Sequence, residues 1–230
     1  MTWRDTAAAL PVWEAPSGTG RAAVVVAHPD DETLALAGPL DQLARNGWRL
    51  DLLVLTDGEA AYPDADDDAR ARLALVRRGE LVAAWHLLVG AAGSPPTFAG
   101  LPDSGLTGRP DDVRAAVEPA VKDADLALGL WPDDPHPDHG AAGAAVVAAA
   151  AGDPTFVAPL WSLAWWPADD PRHPWGSACR VRLDAAAASR RQRALASHAS
   201  QVRGFEGHGP LIGPAETEAL LGPDGVLVRA

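Results

Sequence analysis

Two short stretches carry most of the ionisable chemistry. In the first, His28, Asp30, Asp31 and Glu32 fall within five positions, directly after the apolar run Val24–Ala27. In the second, DDPHPDHG, His136, Asp138 and His139 follow another apolar run ending at Trp131. Charge clustered beside a buried strand costs folding free energy unless something compensates it. A bound cation would do so. The alternative is ordinary helix capping, with Asp30 or Asp31, and separately Asp138, at helix N-termini. The spacing favours the cation. His28/Asp31 and His136/His139 are each three apart, and Pro29 and Pro137 stiffen each turn just after its first histidine. A catalytic zinc takes three ligands from His and carboxylate and keeps one position open. Spacing alone leaves open whether Asp30 or Asp31 is the ligand.

These loops need strands and helices to hold them. Ala22–Ala27, Trp48–Gly58 and Asp125–Trp131 read as buried strands, and Pro96–Leu101 as a shorter one. Helices are expected over Glu32–Arg45, Asp67–Leu88, from an Asp111 or Asp112 cap to Lys122, over Asp138–Ala151 and over Asp184–Val202. TFVAPLWSLAWWP reads as one or two extended segments and CRVRLD as a short alternating strand. Strand and helix alternate without a linker or repeat. The expected fold is a single-domain α/β, Rossmann-like, mostly parallel sheet with helices on both faces, spanning residues 1–230. Residues 1–20 are expected as a loose arm and 204–230 as an irregular segment. In such sheets ligands gather beyond the carboxyl ends of the strands, where both charged loops fall.

Composition narrows the partners. The 230 residues carry 19 basic and 31 acidic side chains, a formal charge of −12, which argues against nucleic acid. The apolar share of 47% and charged share of 22% are those of a globular protein. No leader pattern is evident in the first twenty residues, and GAAGAAVVAAAAG is too short and too rich in Ala and Gly to insert in a bilayer. The single cysteine, Cys179, fits a reducing cytoplasm. The expectation is a cytoplasmic protein without membrane insertion; oligomeric state is left open.

AHPDDE after a strand, TDGE after the next and a later HPDH resemble the PIG-L/LmbE-like de-N-acetylases, which include N-acetylglucosaminyl-phosphatidylinositol and mycothiol-pathway deacetylases. RRGEL (Arg77 to Leu81), PDSG (Pro102 to Gly105) and ALASHASQ (Ala194 to Gln201) extend the match across most of residues 22–203. The resemblance implies zinc held by His28, Asp31 and His139, with Asp30 as general base. It implies that His136 stabilises the oxyanion or protonates the leaving amine, that Asp138 orients His136, and that Arg77 and Asp103 contact the sugar or its linked group. Two histidines and a carboxylate suit iron(II) as well as zinc. The implied reaction is hydrolysis of an N-acetyl or N-acyl group on a small amino-sugar conjugate. The chemistry matches the residues: a divalent ion activates water and polarises a carbonyl, a carboxylate takes the proton, and a second histidine serves the oxyanion or the departing nitrogen.

Other readings are weaker. A dinucleotide-binding oxidoreductase would carry G-x-G-x-x-G after the first strand, where this chain has AHPDDE. One common phosphatase class would carry D-x-D. A non-catalytic metal-bound interaction protein would need a closed ligand set, whereas every catalytic-type position is filled here. Trp161, Trp165 and Trp166 are expected to pack, with stacking on substrate the less favoured role. His86 reads as structural, His173 and His208 as solvated, Glu59 as ordering the site edge, and Asp64–Asp68 as a solvated face. His198 lies in the ALASHASQ match without a role that sequence can supply. The substrate-reading loops are expected at 59–68, 90–110 and 160–176.

Overall fold

Apolar runs too short for helices become strands, and the amphipathic stretches between them become the layers that cover the sheet. The computed structural model describes residues 2–150, 152, 154–222 and 224–230. In chain order the elements are α1 (Trp3–Ala7), β1 (Arg21–Val26), α2 (Asp31–Leu34), α3 (Ala37–Arg45), β2 (Arg49–Thr56), α4 (Asp67–Val89), β3 (Thr97–Leu101), α5 (Pro110–Val121), β4 (Leu126–Leu130) and α6 (Pro137–Ala149). They continue with β5 (Thr155–Ala158), α7 (Trp161–Trp165), β6 (Ala178–Arg182), α8 (Ala185–Ser197), α9 (Ala199–Val202), α10 (Pro214–Leu220) and β7 (Asp224–Arg229).

The seven strands lie in the order β3-β2-β1-β4-β5-β7-β6. The first five are parallel, and β7 pairs antiparallel with both β5 and β6. Alternate β1 side chains serve opposite faces. Val24 and Val26 join the cluster containing Leu40 of α3, Leu81 and Trp85 of α4 and Ala194 of α8. Ala23 and Val25 join the cluster containing Val113 and Val117 of α5 and Val146 of α6. Helices therefore cover both faces, as the sequence predicts. A Cβ on Gly143 would lie 2.2 Å from the Leu130 carbonyl oxygen, so this glycine lets α6 sit close on β4. The strand order reverses between β1 and β4, which are direct neighbours (Val24 opposite Leu128). The two charged loops leave the carboxyl ends of these two strands and meet at the switch point.

Several expectations are corrected. The helix expected over Glu32–Arg45 is two helices, with Leu36 between them in non-helical backbone (ψ 0°). Asp184–Val202 likewise breaks at His198. The helix expected to be capped by Asp111 or Asp112 starts earlier, because Pro110 takes the first helical position and makes Arg109 the N-cap. Of TFVAPLWSLAWWP, only Thr155–Ala158 is extended, and Trp161–Trp165 is a helical turn. Ala151, at the expected end of its helix, lies outside the described residues, as do Met1, Asp153 and Pro223.

The arm at 1–20 is anchored by two tryptophans. Trp3 and Trp13 are buried, Trp3 Nε1 donates to the Ala219 carbonyl at 2.8 Å, and Trp13 N donates to Arg180 O at 2.8 Å. Residues 204–230 are not irregular throughout. Residues 204–213 hold no helix or strand, but α10 and β7 follow, and Val226, Leu227 and Val228 of β7 are buried within the sheet. His173 is buried, not solvated: Nε2 lies 3.0 Å from the Pro167 carbonyl, and its ring packs against Trp166 and Trp175. His208 is half-buried and stacked on Tyr62.

Candidate active site

The turn after β1 is built around three buried carboxylates with three different jobs. Asp31 turns its Oδ2 back to the amides of Ala27 (3.1 Å) and His28 (2.8 Å). Its Oδ1 lies 3.1 Å from His139 Nε2. Glu32 accepts from the Asp30 amide (3.0 Å) through Oε2 and from Thr33 Oγ1 (2.6 Å) through Oε1, which also lies 3.0 Å from His198 Nε2. Asp30 has φ +118°, a left-handed conformation that costs a non-glycine residue on the order of 1–3 kcal/mol. The Glu32 bond to its amide helps hold it there. Asp30 is the N-cap of α2 by position, yet its side chain caps nothing. That leaves its carboxylate to Arg77, whose Nη2 is 3.1 Å from Oδ2.

The turn after β4 brings the second set. His136 and His139 flank the start of α6, with Pro137 at its first helical position. His139 is wholly buried. Its ring centroid is 5.3 Å from that of His28 and 4.6 Å from that of His136, and the His28–His136 distance is 4.9 Å. Asp31 lies between the histidines, its Oδ2 3.6 Å from His28 Nδ1. Asp31 thus contacts both His28 and His139, the other two residues of the ligand set that the resemblance implies. Among the described residues, the groups that place one potential ligand atom each within 4.8 Å of the others are His28/His136/His139 and His28/Asp103/Asp138.

The orphaned nitrogens indicate what this cluster fits. Both His139 ring nitrogens lie 3.1–3.4 Å from carboxylate oxygens of Asp31 and Asp134, but neither contact is angled as a hydrogen bond, and His136 Nδ1 is buried without a partner. Unsatisfied imidazole nitrogens beside a fixed carboxylate are a donor set for a divalent cation. The electrostatics agree. Burial disfavours charge on His28, but Asp103, Asp138 and Asp31 hold it well above its ordinary pKa. Burial likewise opposes charge on His139, yet Asp31 and Asp134 raise it to about 9. Asp31 is held well below the usual carboxylate range, against burial, chiefly by His139. The carboxylates thus hold two of the three imidazoles, His28 and His139, toward their charged forms.

Other site residues follow the expectations unevenly. Burial raises the Asp30 carboxyl to about 6, against the pull of Arg77, close to where a general base works best at neutral pH. Burial and the charges of His139 and His28 push His136 down to about 4. Asp138 does not orient His136. Its oxygens accept from the amides of Ser104 (2.8 Å) and Leu106 (3.1 Å), and Oδ2 lies 3.4 Å from His28 Nε2. Two backbone donors on the PDSG loop claim the carboxylate before the imidazole can. Arg77 and Asp103 both border the cleft, but the terminal nitrogens of Arg77 and the carboxylate of Asp103 are engaged, while Arg77 Nε is buried without a partner. Arg77 donates to Gly58 O (2.8 Å), Pro29 O and Asp30. Asp103 accepts from the Ala60 amide (2.8 Å) and lies 3.2 Å from His28 Nε2. Burial raises the Asp103 carboxyl, and His28 outweighs it, leaving the pKa at about 2. Glu59 does order the site edge, accepting from the Asp103 amide (2.9 Å).

Sequence reasoning missed Asp134. It is buried, accepts from the amides of His136 (3.2 Å), Leu160 (2.9 Å) and Trp161 (3.0 Å), and lies 3.4 Å from His139 Nδ1. Its neighbour Asp133 is exposed, and nothing in the sequence separates the two. Also missed was the far wall of the cleft, from Gln201, Leu211, Ile212 and Glu216. The cleft holds about 440 Å³ and is lined also by Trp161 and Trp165.

Comparison with known proteins agrees with this geometry. The family model described as PIG-L, GlcNAc-PI de-N-acetylase, matches residues 23–150, which include both charged turns. A 1D-myo-inositol 2-acetamido-2-deoxy-alpha-D-glucopyranoside deacetylase from Rhodococcus opacus is 33% identical over 164 residues, 59% of this chain and 56% of that relative. The aligned part thus spans little more than half of the relative's length. Among solved structures, the A40926 pseudoaglycone deacetylase Dbv21 superposes with a TM-score of 0.65 at 22% identity, covering 91% of this chain and 96% of that one. N,N'-diacetylchitobiose deacetylase from Pyrococcus horikoshii gives 0.58 at 17% identity, with 82% and 72% covered. At these identities the likeness is one of fold.

Proposed function

The chain belongs to the PIG-L (GlcNAc-PI de-N-acetylase) family, and from that premise we propose that it is a divalent-metal-dependent hydrolase removing an N-acetyl group from a small amino-sugar conjugate. The observation that carries the reading is the meeting of Asp30, Asp31, His28 and His136 at one cleft, with His139 buried against Asp31 behind them, imidazole nitrogens unsatisfied and one strained carboxylate left uncapped. His28, Asp31 and His139 are the residues we assign to the metal, zinc or iron(II). When bound, the ion supplies Lewis acidity toward water and the amide carbonyl.

The remaining steps belong to the chain. Arg77 occupies Oδ2 of Asp30 and leaves Oδ1 to accept a proton from the attacking water. With its pKa near 6, the same carboxyl can return that proton to the leaving nitrogen as the C–N bond breaks. His136, neutral at pH 7, donates a hydrogen bond from its cleft-facing nitrogen to the oxyanion that develops on the acetyl oxygen. Asp134 and Asp138 position His139 and His28 respectively, and Asp103 shares His28 with Asp138 at the border where the sugar enters. No helix among the described residues is long and apolar enough to cross a membrane, and we place the reaction in the reducing cytoplasm that a lone cysteine suits.

The test is acetate release from N-acetylglucosaminides, followed by mass spectrometry. Chelation is expected to abolish it and added zinc or iron(II) to restore it. Turnover that survives exhaustive chelation would contradict the reading.

A further inference from the structure

The mouth of the cleft has a chemistry of its own. Six large apolar side chains are exposed among the described residues, and two of them, Trp165 (54% exposed) and Leu211 (41%), border this one cleft. Trp165 stacks on Trp161 with ring centroids 4.9 Å apart and an interplanar angle of 22°. Its ring lies 6.5 Å from that of His136, so the platform adjoins the reacting groups. Both sides are held in place. The Trp161 amide is fixed by Asp134, which also holds the His136 amide. The amides of Leu211 and Ile212 donate to the Gln201 carbonyl at 2.9 and 3.0 Å.

Charge in the cleft points the same way. Its border carries the carboxylates of Asp30, Asp31, Asp103 and Glu216. Arg77 is the one guanidinium there, and both its terminal nitrogens already serve Gly58, Pro29 and Asp30. Beyond the groups assigned to the metal, a phosphate on the linked group would meet the carboxylates of Asp103 and Glu216 and no guanidinium with a free terminal nitrogen.

Resting on the deacetylase reading above, we propose that the group linked to the amino sugar is uncharged and apolar, an aromatic aglycone seated against Trp165 and Leu211, and that phosphate-bearing conjugates are excluded. Aromatic stacking adds to area burial, and an uncharged ring gains from contact with both exposed apolar side chains.

The experiment compares kcat/KM for acetate release by the zinc-loaded protein. The substrates are a naphthyl, a methyl, an inositol and a phosphoinositol N-acetylglucosaminide. The naphthyl glycoside is expected to exceed the methyl and inositol glycosides by about tenfold or more, and the phosphoinositol conjugate to be the poorest. Trp165→Ala, and independently Leu211→Ser, should each shrink the naphthyl-to-methyl ratio by about fivefold or more. Either variant alone suffices if the other fails to fold. Equal kcat/KM for the naphthyl, methyl and inositol glycosides, or a phosphoinositol conjugate matching the naphthyl one, overturns the aglycone assignment and leaves the deacetylase reading standing. Acetate release from none of the four overturns the deacetylase reading and this inference with it.

Discussion

Gly58 offers a test of the support beneath the general base. It lies in the TDGE turn with φ +66°, and a Cβ built on it would fall 2.0 Å from Arg77 Nη1 and 2.4 Å from Cζ. Arg77 is 3% exposed and cannot swing into water without leaving Gly58 O, Pro29 O and Asp30 Oδ2. Gly58→Ala therefore carries two costs. A left-handed alanine costs about 1–2 kcal/mol. Displacing a buried guanidinium from its acceptors removes charge-assisted hydrogen bonds at about 1.5–3 kcal/mol each. Partial relaxation brings the sum to roughly 3 kcal/mol, which for a domain of this size lowers Tm by about 6–12 °C. Activity should fall further than stability suggests, because Asp30 loses the cation that fixes its Oδ2, and a drop in kcat of about 10–100-fold is expected. Differential scanning calorimetry and acetate release measure the two effects. The double variant Gly58→Ala/Arg77→Ala should be less destabilised than the sum of the single variants, since the clash disappears with the guanidinium. A Gly58→Ala protein with unchanged Tm and kcat, or single effects that simply add, would refute the reasoning.

Three further outcomes are expected. Asp30→Asn should cut kcat by a factor of about 100 or more while retaining bound metal by elemental analysis; near-normal turnover would remove the base from the mechanism. Asp134→Asn should weaken metal binding about 10–100-fold in chelator competition, because the carboxylate faces His139 Nδ1 and holds the loop; unchanged affinity would reduce Asp134 to a loop tether. Glu32→Gln should lower kcat by about tenfold with little change in KM, as glutamine keeps one acceptor oxygen where Glu32 uses Oε2 for the Asp30 amide and Oε1 for His198; a change confined to KM would place Glu32 at the substrate instead.

How much of this was legible in the sequence varies with how local the signal is. Strands β1, β2 and β4 and the two charged turns after β1 and β4 are continuous patterns, and the reading found them close to where they stand. Their convergence followed from the topology rule for parallel sheets, not from any contact in the sequence. Breaks inside helical patterns were not legible: at Leu36 and His198 helical periodicity continues while the backbone turns to aim Glu32, Thr33 and His198 at one another. The C-terminal strand was hidden for a different reason. Six residues after a Gly- and Pro-rich stretch carry too little alternation, and pairing with β5 and β6 decides them. Asp134 and Asp138 show the same limit at the level of one side chain. Which acid is buried, and which amides claim it, depends on the Leu160–Ser162 and Ser104–Leu106 segments, far away in the chain.

The central claim is that one divalent ion sits among His28, Asp31 and His139. Anomalous diffraction from crystals of the zinc-loaded protein measures this directly. A single anomalous peak is expected, ligated by those three side chains, with His139→Ala crystals grown under the same conditions showing none. A peak ligated by His28, Asp103 and Asp138 instead, or one that persists in His139→Ala, would contradict the account.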